Sequence, residues 1–354
     1  MWRFLSLFFG LSVCVNAIGF GPEALVRRQD FLVPEDAEIR IAVRELRVDL
    51  RENGPPLLWI HGARVPGIAS FDLDVPGGSL AGDLAAQGFA VYVMDVRGYG
   101  ASTRPKGMQE PPDGRAALVR SNEAARDIGA VVAWICARRR VSRVALLGWA
   151  TGGQWAGYYT SIFPEKVSAL ILLNSLYGGT SGHPLMGHGS DMEDAQHSGE
   201  FKRGGLRRVS IQRREILVWS LGSQHSGRQQ GGWRDPAVAR AYAAAAIASD
   251  PTSNPRTPPS FRSPCGALED SFYLATGRQL WDASLITAAT LVLAWEGDFW
   301  SRVEDRELLQ KHLVHAARVK VVVLKGATHF VHRDRPERGR THLLEAVTEF
   351  LKGQ

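Results

Sequence analysis

The chain has 354 residues, 45% of them hydrophobic and 22% charged, with Lys and Arg exceeding Asp and Glu by 42 − 36 = 6. This is the make-up of a globular protein with a sizeable core, and it excludes a disordered or low-complexity chain. The arginine clusters Arg138-Arg139-Arg140, Arg207-Arg208 and Arg213-Arg214 come without interleaved aromatic residues or a nucleic-acid motif, so they read as solvated faces and nucleic acid is not an expected partner.

At the N-terminus, Arg3 precedes the apolar run Phe4 to Val15, which ends in Val15-Asn16-Ala17. A charge, a short apolar core and small residues fit a signal peptide over 1–17, cleaved after Ala17, and hence a secreted or periplasmic protein. The run is too short for a comfortable membrane span, so no stable span is expected after cleavage; a membrane-anchoring N-terminal segment is the alternative. Cleavage would leave Cys136 and Cys265. Two cysteines so far apart make no disulfide framework, and two free, mostly buried thiols are expected.

From Asp30 the chain reads as the opening of a sheet. Ile39, Ile41 and Val43 alternate with polar neighbours until Glu52-Asn53-Gly54-Pro55-Pro56 breaks the pattern, which predicts a hairpin at a sheet edge. Leu57-Leu58-Trp59-Ile60 is a wholly apolar strand ending in His61-Gly62-Ala63, followed by a helix from Leu80 to Gln87 and a buried strand from Ala90 to Met94. Asn122 to Arg139 has helical periodicity with Ser121 as its cap. It leads to Val144-Ala145-Leu146-Leu147-Gly148-Trp149-Ala150-Thr151-Gly152-Gly153, an apolar strand that meets a small-residue turn opening into a helix, Thr151 to Phe163. Val167 to Leu173 is the next strand. Strands alternating with helices predict a mostly parallel, doubly wound α/β sheet.

Three motifs along this half resemble the α/β-hydrolase fold family. They are His61-Gly62 after a strand, the turn Asp95-Val96-Arg97-Gly98-Tyr99-Gly100-Ala101-Ser102, and the elbow Gly148-x-Ala150-x-Gly152, where the serine hydrolases of the family carry a nucleophile between the glycines. Two more follow in the expected order. Ala289-Thr290-Leu291-Val292-Leu293-Ala294-Trp295-Glu296-Gly297-Asp298 resembles the strand and acidic turn of the triad acid, and Gly326-Ala327-Thr328-His329 resembles the triad histidine's turn before a closing helix from Pro336 to Leu351. The resemblance implies that 18–174 and 284–354 form the core and that 175–283 is a mostly helical cap, with helices over Arg213 to Leu221 and Pro236 to Ser249.

Carried over by position, the resemblance makes Asp298 the acid, His329 the base, and the N–H groups of Ala63 and Thr151 the oxyanion hole, with Ala150 at the nucleophile position. Alanine has no lone pair to attack with, so covalent catalysis through residue 150 is excluded. Thr151, Ser102 and Ser175 are poor substitutes, and Asn174 supplies no carboxylate. The expected activity is carboxylic-ester hydrolysis of a small to medium apolar or aromatic substrate in the serine-bearing form, without cofactor. The alternatives are a ligand-binding pseudoenzyme and a cofactor-free lyase or oxygenase using His329 and Asp298. Trp149, Phe299 and Trp300 are expected to contact substrate, with Trp155, Trp219, Trp233 and Phe272 as further aromatic candidates. His183, His188, His197 and His225 match no ligand spacing, so no metal is expected. Glu304, Asp305 and His332 read as surface residues or supports of the site.

Overall fold

The structure, a computed structural model, describes residues 25–48, 54–109, 117–183, 185–203, 209–213, 232–253, 255, 257 and 259–353. The expected export segment, and with it Trp219 and His225, lies outside them. Ten strands occur among the described residues: β1 (Arg27–Pro34), β2 (Arg40–Arg47), β3 (Leu57–Ile60), β4 (Val91–Met94), β5 (Val144–Trp149), β6 (Val167–Leu173), β7 (Val209–Arg213), β8 (Ser260–Pro264), β9 (Ala289–Trp295) and β10 (Val319–Leu324). Eight of them form one sheet in the order β1-β2-β4-β3-β5-β6-β9-β10. From β4 to β10 all neighbours are parallel, and the β1/β2 hairpin joins antiparallel at the β4 edge. This is the α/β-hydrolase architecture expected of the motifs.

Successive side chains of the inner strands point to opposite faces, and both faces are dry. Leu58, Ile60, Leu146 and Leu172 pack on one side with α3 (Ser121–Arg139) and α4 (Thr151–Ile162), while Leu57, Trp59, Leu147 and Ile171 pack on the other. That second face is covered by α2 (Leu80–Ala86) and the last helix, over Arg340–Lys352. Each fully buried aliphatic side chain contributes about 1.5–3 kcal/mol. Ahead of α2 runs the short α1 (Gly67–Phe71).

Between β6 and β9 lie the antiparallel pair β7/β8, α5 (Pro236–Ala248) and α6 (Gly266–Ala275). Helix α5 begins as expected, with Asp235 capping the Ala237 N–H at 2.8 Å and Pro236 in the first turn. The helix expected over 213–221 is corrected at its start, because Arg213 ends a strand paired with Ser260; the rest lies outside the described residues. Helix α6 was not anticipated. Its buried Asp270 accepts from the N–H and hydroxyl of Ser121, each at 2.7 Å, and from Arg120. Ser121 is therefore the first residue of α3 rather than its cap, because a buried carboxylate is a stronger acceptor than its hydroxyl. Helix α7 (Val303–His312) follows β9. The closing helix, α8, starts at Arg340 rather than Pro336, because Gly339 at φ 96° breaks it from a short turn over Pro336–Arg338. Among the described residues Cys136 and Cys265 form no disulfide, the former half-buried and the latter buried. Among the described residues no helix is long and apolar enough to cross a membrane.

A β-carbon at Gly152 would press into the carbonyl oxygens of Ile60 and His61, whereas one at exposed Gly182 meets nothing closer than 3.7 Å. Gly152→Ala is expected to destabilise by about 2 kcal/mol or more, and Gly182→Ala by under about 0.5 kcal/mol, as read by thermal melting.

Candidate active site

The chain passes from β3 to β4 on one side of β3 and returns to β5 on the other, so a crevice opens beyond the carboxyl ends of β3 and β5. Ala150 sits in that crevice at φ 52°, ψ −117°. Its N–H donates to the Leu173 carbonyl at 2.8 Å and its own carbonyl accepts from Gly153 at 3.0 Å. A β-carbon at Gly148 would collide with the carbonyl of Gly152, so the turn closes only around glycines.

The loop after β3 is fixed by His61, which is fully buried. Its Nδ1 donates to the Gly62 carbonyl at 2.7 Å and its Nε2 accepts from the Val96 N–H at 3.1 Å, so the ring is the neutral tautomer. Burial pushes its pKa down to about 4. A β-carbon on Gly62 would lie 3.3 Å from the Ala150 methyl, which shows how closely the two loops approach. The turn from Asp95 to Ser102 is structural as well. The Asp95 carboxylate accepts from Ala101 and Ile68, the Ser102 hydroxyl accepts from Ala42 at 2.8 Å, and Arg97 pairs with buried Asp127 and with Glu35. Ser102 is thereby committed away from the crevice.

From the other half of the sheet, the turn after β9 delivers Asp298 and the turn after β10 delivers His329. His329 Nδ1 lies 2.7 Å from Asp298 Oδ2, and Asp298 Oδ1 accepts from the N–H groups of Trp300 (2.8 Å) and Ser301 (3.3 Å). With Nδ1 as donor to the carboxylate, Nε2 is left as the bare acceptor. The His329 carbonyl accepts from Trp149 Nε1 at 2.9 Å and Asn174 Nδ2 at 3.1 Å, while Asn174 Oδ1 accepts from the Trp295 N–H at 2.8 Å. Buried Asp334 accepts from the Thr328 N–H (2.9 Å) and hydroxyl (2.7 Å) and pairs with Arg234 of the insertion at 2.7 Å.

A cavity of about 500 Å³ is lined by Ala63, Trp149, Ala150, Thr151, Trp300 and His329, all anticipated. Among the described residues, the N–H groups of Ala63 and Thr151 donate to no other group of the chain. Phe299, expected to contact substrate, does not line this cavity: its ring lies 5.3 Å from that of His183 and its carbonyl accepts from His183 Nε2. Trp155 and Phe272 belong to the core, and Trp233 donates to the Gly326 carbonyl. Tyr242 of α5 and Phe330 are wall residues that the sequence reading passed over. Of the two alternatives for Asp305 and His332, surface residue or support of the site, burial fits the second. Asp305 is buried and accepts from the N–H groups of Tyr177, Gly178 and Gly179, and His332 is buried 4.4 Å from the Trp149 ring. His188 and His197 bond to Glu193 and Asp194, and no cluster of potential metal ligands occurs among the described residues.

The profile of the alpha/beta hydrolase fold family matches residues 55–336. Among solved structures, the bromoperoxidase of Bacillus anthracis is 16% identical with a TM-score of 0.57, over 92% of this chain and 100% of its own. E-2-(acetamidomethylene)succinate hydrolase is 17% identical with a TM-score of 0.57, over 92% and 99%. An esterase from Exiguobacterium antarcticum is 15% identical with a TM-score of 0.54, over 91% and 98%. At these identities the likeness is one of fold. No curated protein matches the sequence.

The folded His61 holds its pKa below the unfolded value of 6.5, so on acidification the unfolded chain takes up the proton first. Stability is full above pH 6.5 and is lost as pH falls toward about 4. Between pH 6.5 and 5 the loss from this residue is about 2 kcal/mol. Burial and the surrounding arginines shift His332 in the same direction, adding to the slope. Denaturant melts from pH 7 to 5 should therefore show a steep slope that flattens in His61→Gln; an unchanged slope in that variant refutes the assignment.

Proposed function

Since the chain belongs to the alpha/beta hydrolase fold family, we propose that its site is laid out for carboxylic-ester hydrolysis, with Ala150 where the active form carries a nucleophilic serine. The observation that carries this reading is the 2.7 Å contact of His329 Nδ1 with Asp298, in a cavity that Ala150, Ala63 and Thr151 also line. In the serine form, the hydroxyl oxygen attacks the ester carbonyl and its proton passes to His329 Nε2. Asp298 holds the imidazolium, and the N–H groups of Ala63 and Thr151 receive the oxyanion. The alcohol leaves with the proton from His329; water, deprotonated by the same nitrogen, then frees the acid. The apolar wall suits an aliphatic or aromatic acyl or alcohol group. In the chain as it stands the covalent step is absent, and the site binds ligand beside an oriented base.

A second reading is favoured by Nε2 of His329, which accepts from no group of the chain among the described residues. A ligand whose carbonyl rests on the Ala63 and Thr151 N–H groups and whose α-carbon faces Nε2 would lose a proton to His329, as in a cofactor-free lyase. The unaltered chain would then exchange deuterium from solvent into that carbon.

Ala150→Ser is expected to raise the rate on short p-nitrophenyl esters by on the order of a millionfold, the usual loss when a triad nucleophile is removed. It should also gain labelling by a fluorophosphonate probe, and His329→Ala added to it should remove most of both. A folded Ala150→Ser protein inert to ester and probe rules out the hydrolase reading, and deuterium exchange by the unaltered chain then decides the second.

A further inference from the structure

The end of the sheet opposite the cavity is built from the segments that lead into four neighbouring parallel strands, β5, β6, β9 and β10. Those strands start nearly level, with Val144 beside Val167, Ala169 beside Ala289 and Thr290 beside Val319. The segments ahead of them therefore stand side by side over about 15 Å, three strand spacings. His315 binds two of them together, its Nδ1 lying 2.7 Å from the Ser284 carbonyl. Ten large apolar side chains are exposed among the described residues, and half of them fall in these short segments. They are Val141 ahead of β5, Ile162 and Phe163 ahead of β6, Leu285 ahead of β9 and Val314 ahead of β10. Leu285 is 53% exposed and Val314 66%. Cations surround them. Arg140, Arg143, Lys166, Lys311 and Arg318 are exposed on the same segments, against two exposed acids, Glu165 and Asp282. Asp282 is already engaged by the Ser284 N–H at 2.9 Å. The carboxyl ends of α3, α4 and α7 come to this end of the sheet, and their dipoles favour cations there. The dipoles give no reason for apolar side chains in water.

We propose that this end of the sheet docks on a lipid bilayer with anionic headgroups, its apolar tips entering the interfacial layer and its cations meeting the phosphates. Such a surface selects this composition, because the negative surface potential draws the cations and the acyl boundary takes the apolar tips. A second copy of the chain fits less well, since two-fold pairing through the same patch sets cations against cations. A bilayer is fluid and needs no matching pocket, which suits apolar side chains carried on four separate segments. Strand β1 begins at this same end, because Arg27 pairs with Arg47, and Leu46 with Val91, the first residue of β4. The alternative reading of the sequence, a membrane-held N-terminal segment, would therefore bring this same end to the lipid. Docked in this way, the protein opens its cavity toward water, because the cavity lies beyond the opposite ends of the strands. The inference is independent of the chemistry at residue 150.

Flotation of the full chain with vesicles of phosphatidylcholine alone, or with about 30% phosphatidylglycerol added, reads the docking. At low salt the unaltered protein should bind the anionic vesicles at least about tenfold more tightly than the neutral ones, and about 0.5 M salt should remove most of that preference. Arg143→Gln combined with Lys166→Gln should weaken binding to the anionic vesicles by at least about tenfold, since each cation at such a surface contributes about fivefold. Leu285→Ser combined with Val314→Ser should weaken it at both salts. An environment-sensitive fluorophore on Leu285→Cys should shift to the blue when anionic vesicles are added. One on Leu185→Cys, which lines the cavity, should not, the labelled unaltered chain with its own cysteines serving as the blank. Equal affinity for both vesicles, or binding to neither, overturns the proposal. So does binding that Arg143→Gln with Lys166→Gln leaves unchanged, since the lipid would then sit on another surface or on the apolar run Phe4 to Val15. A blue shift at 185 and none at 285 overturns it as well, and so does a dimer in solution that Leu285→Ser with Val314→Ser disperses, because a second copy would then cover the patch.

Discussion

The site depends on how closely the turn after β5 approaches the end of β3. At Gly152 there is room for a hydrogen and nothing larger, because the carbonyls of Ile60 and His61 stand against it. That approach forces the backbone of Ala150 to φ 52°, a conformation that costs a non-glycine residue about 1–3 kcal/mol. The strain is offset locally by the Ala150 N–H bond to Leu173 and by α4, whose buried Trp155 packs edge-on against His61 at 6.0 Å. His61 in turn ties the loop after β3 to the end of β4. One crossing thus brings Ala63, Ala150 and Thr151 to the same cavity, and all three come from backbone geometry rather than from side-chain chemistry.

His329 is held in a different way, through its surroundings. Its ring is oriented by Asp298, while its carbonyl is gripped by Trp149 from the elbow and by Asn174 from the turn after β6. The residue before it, Thr328, is pinned by Asp334, which reaches Arg234 in the insertion. Each neutral hydrogen bond of this set contributes only about 1 kcal/mol to stability. Their larger effect is positional, since His329 stands on a loop and loops do not hold geometry unaided. The link through Arg234 also means that the insertion, whose helix α5 supplies Tyr242 to the wall, and the histidine loop share one buried ion pair.

What was legible in the sequence follows from this difference. Strand runs and the glycines at 148 and 152 answer to local steric demands, and local demands leave a pattern in the residues themselves; the parallel sheet and the elbow were read for that reason. Asp298 and His329 were expected to meet because they follow strands in a recognisable order, and the fold places them 2.7 Å apart. Residues whose role depends on distant partners left no such pattern. Asp305 and His332 read equally as surface residues or as supports of the site, and only the fold shows that Asp305 gathers the N–H groups of Tyr177, Gly178 and Gly179 while His332 lies under Trp149. Phe299 and Phe330 are indistinguishable by type and by nearness to a motif. Which of them faces the cavity is decided by His183, more than a hundred residues away in the chain, which draws the first aside. Ser121 is a plausible cap by composition, but a carboxylate on an unforeseen helix takes its hydroxyl.

The strain at residue 150 bears on what a hydroxyl there would meet. Were that conformation maintained by a serine bonding to His329, an alanine would let the turn relax toward an ordinary backbone. It does not relax, because the glycine contacts and the Leu173 bond that impose it involve no side chain at 150. The elbow is therefore preorganised independently of the atom it would present, and adding an oxygen there requires no backbone work. Nε2 of His329 is in the same position, oriented by Asp298 whether or not a hydroxyl faces it. Under the proposed reading, a ligand entering this cavity meets a base and an oxyanion site already in place and no nucleophile. It is bound by the contacts that would otherwise lead to the transition state, and it is held there without being consumed.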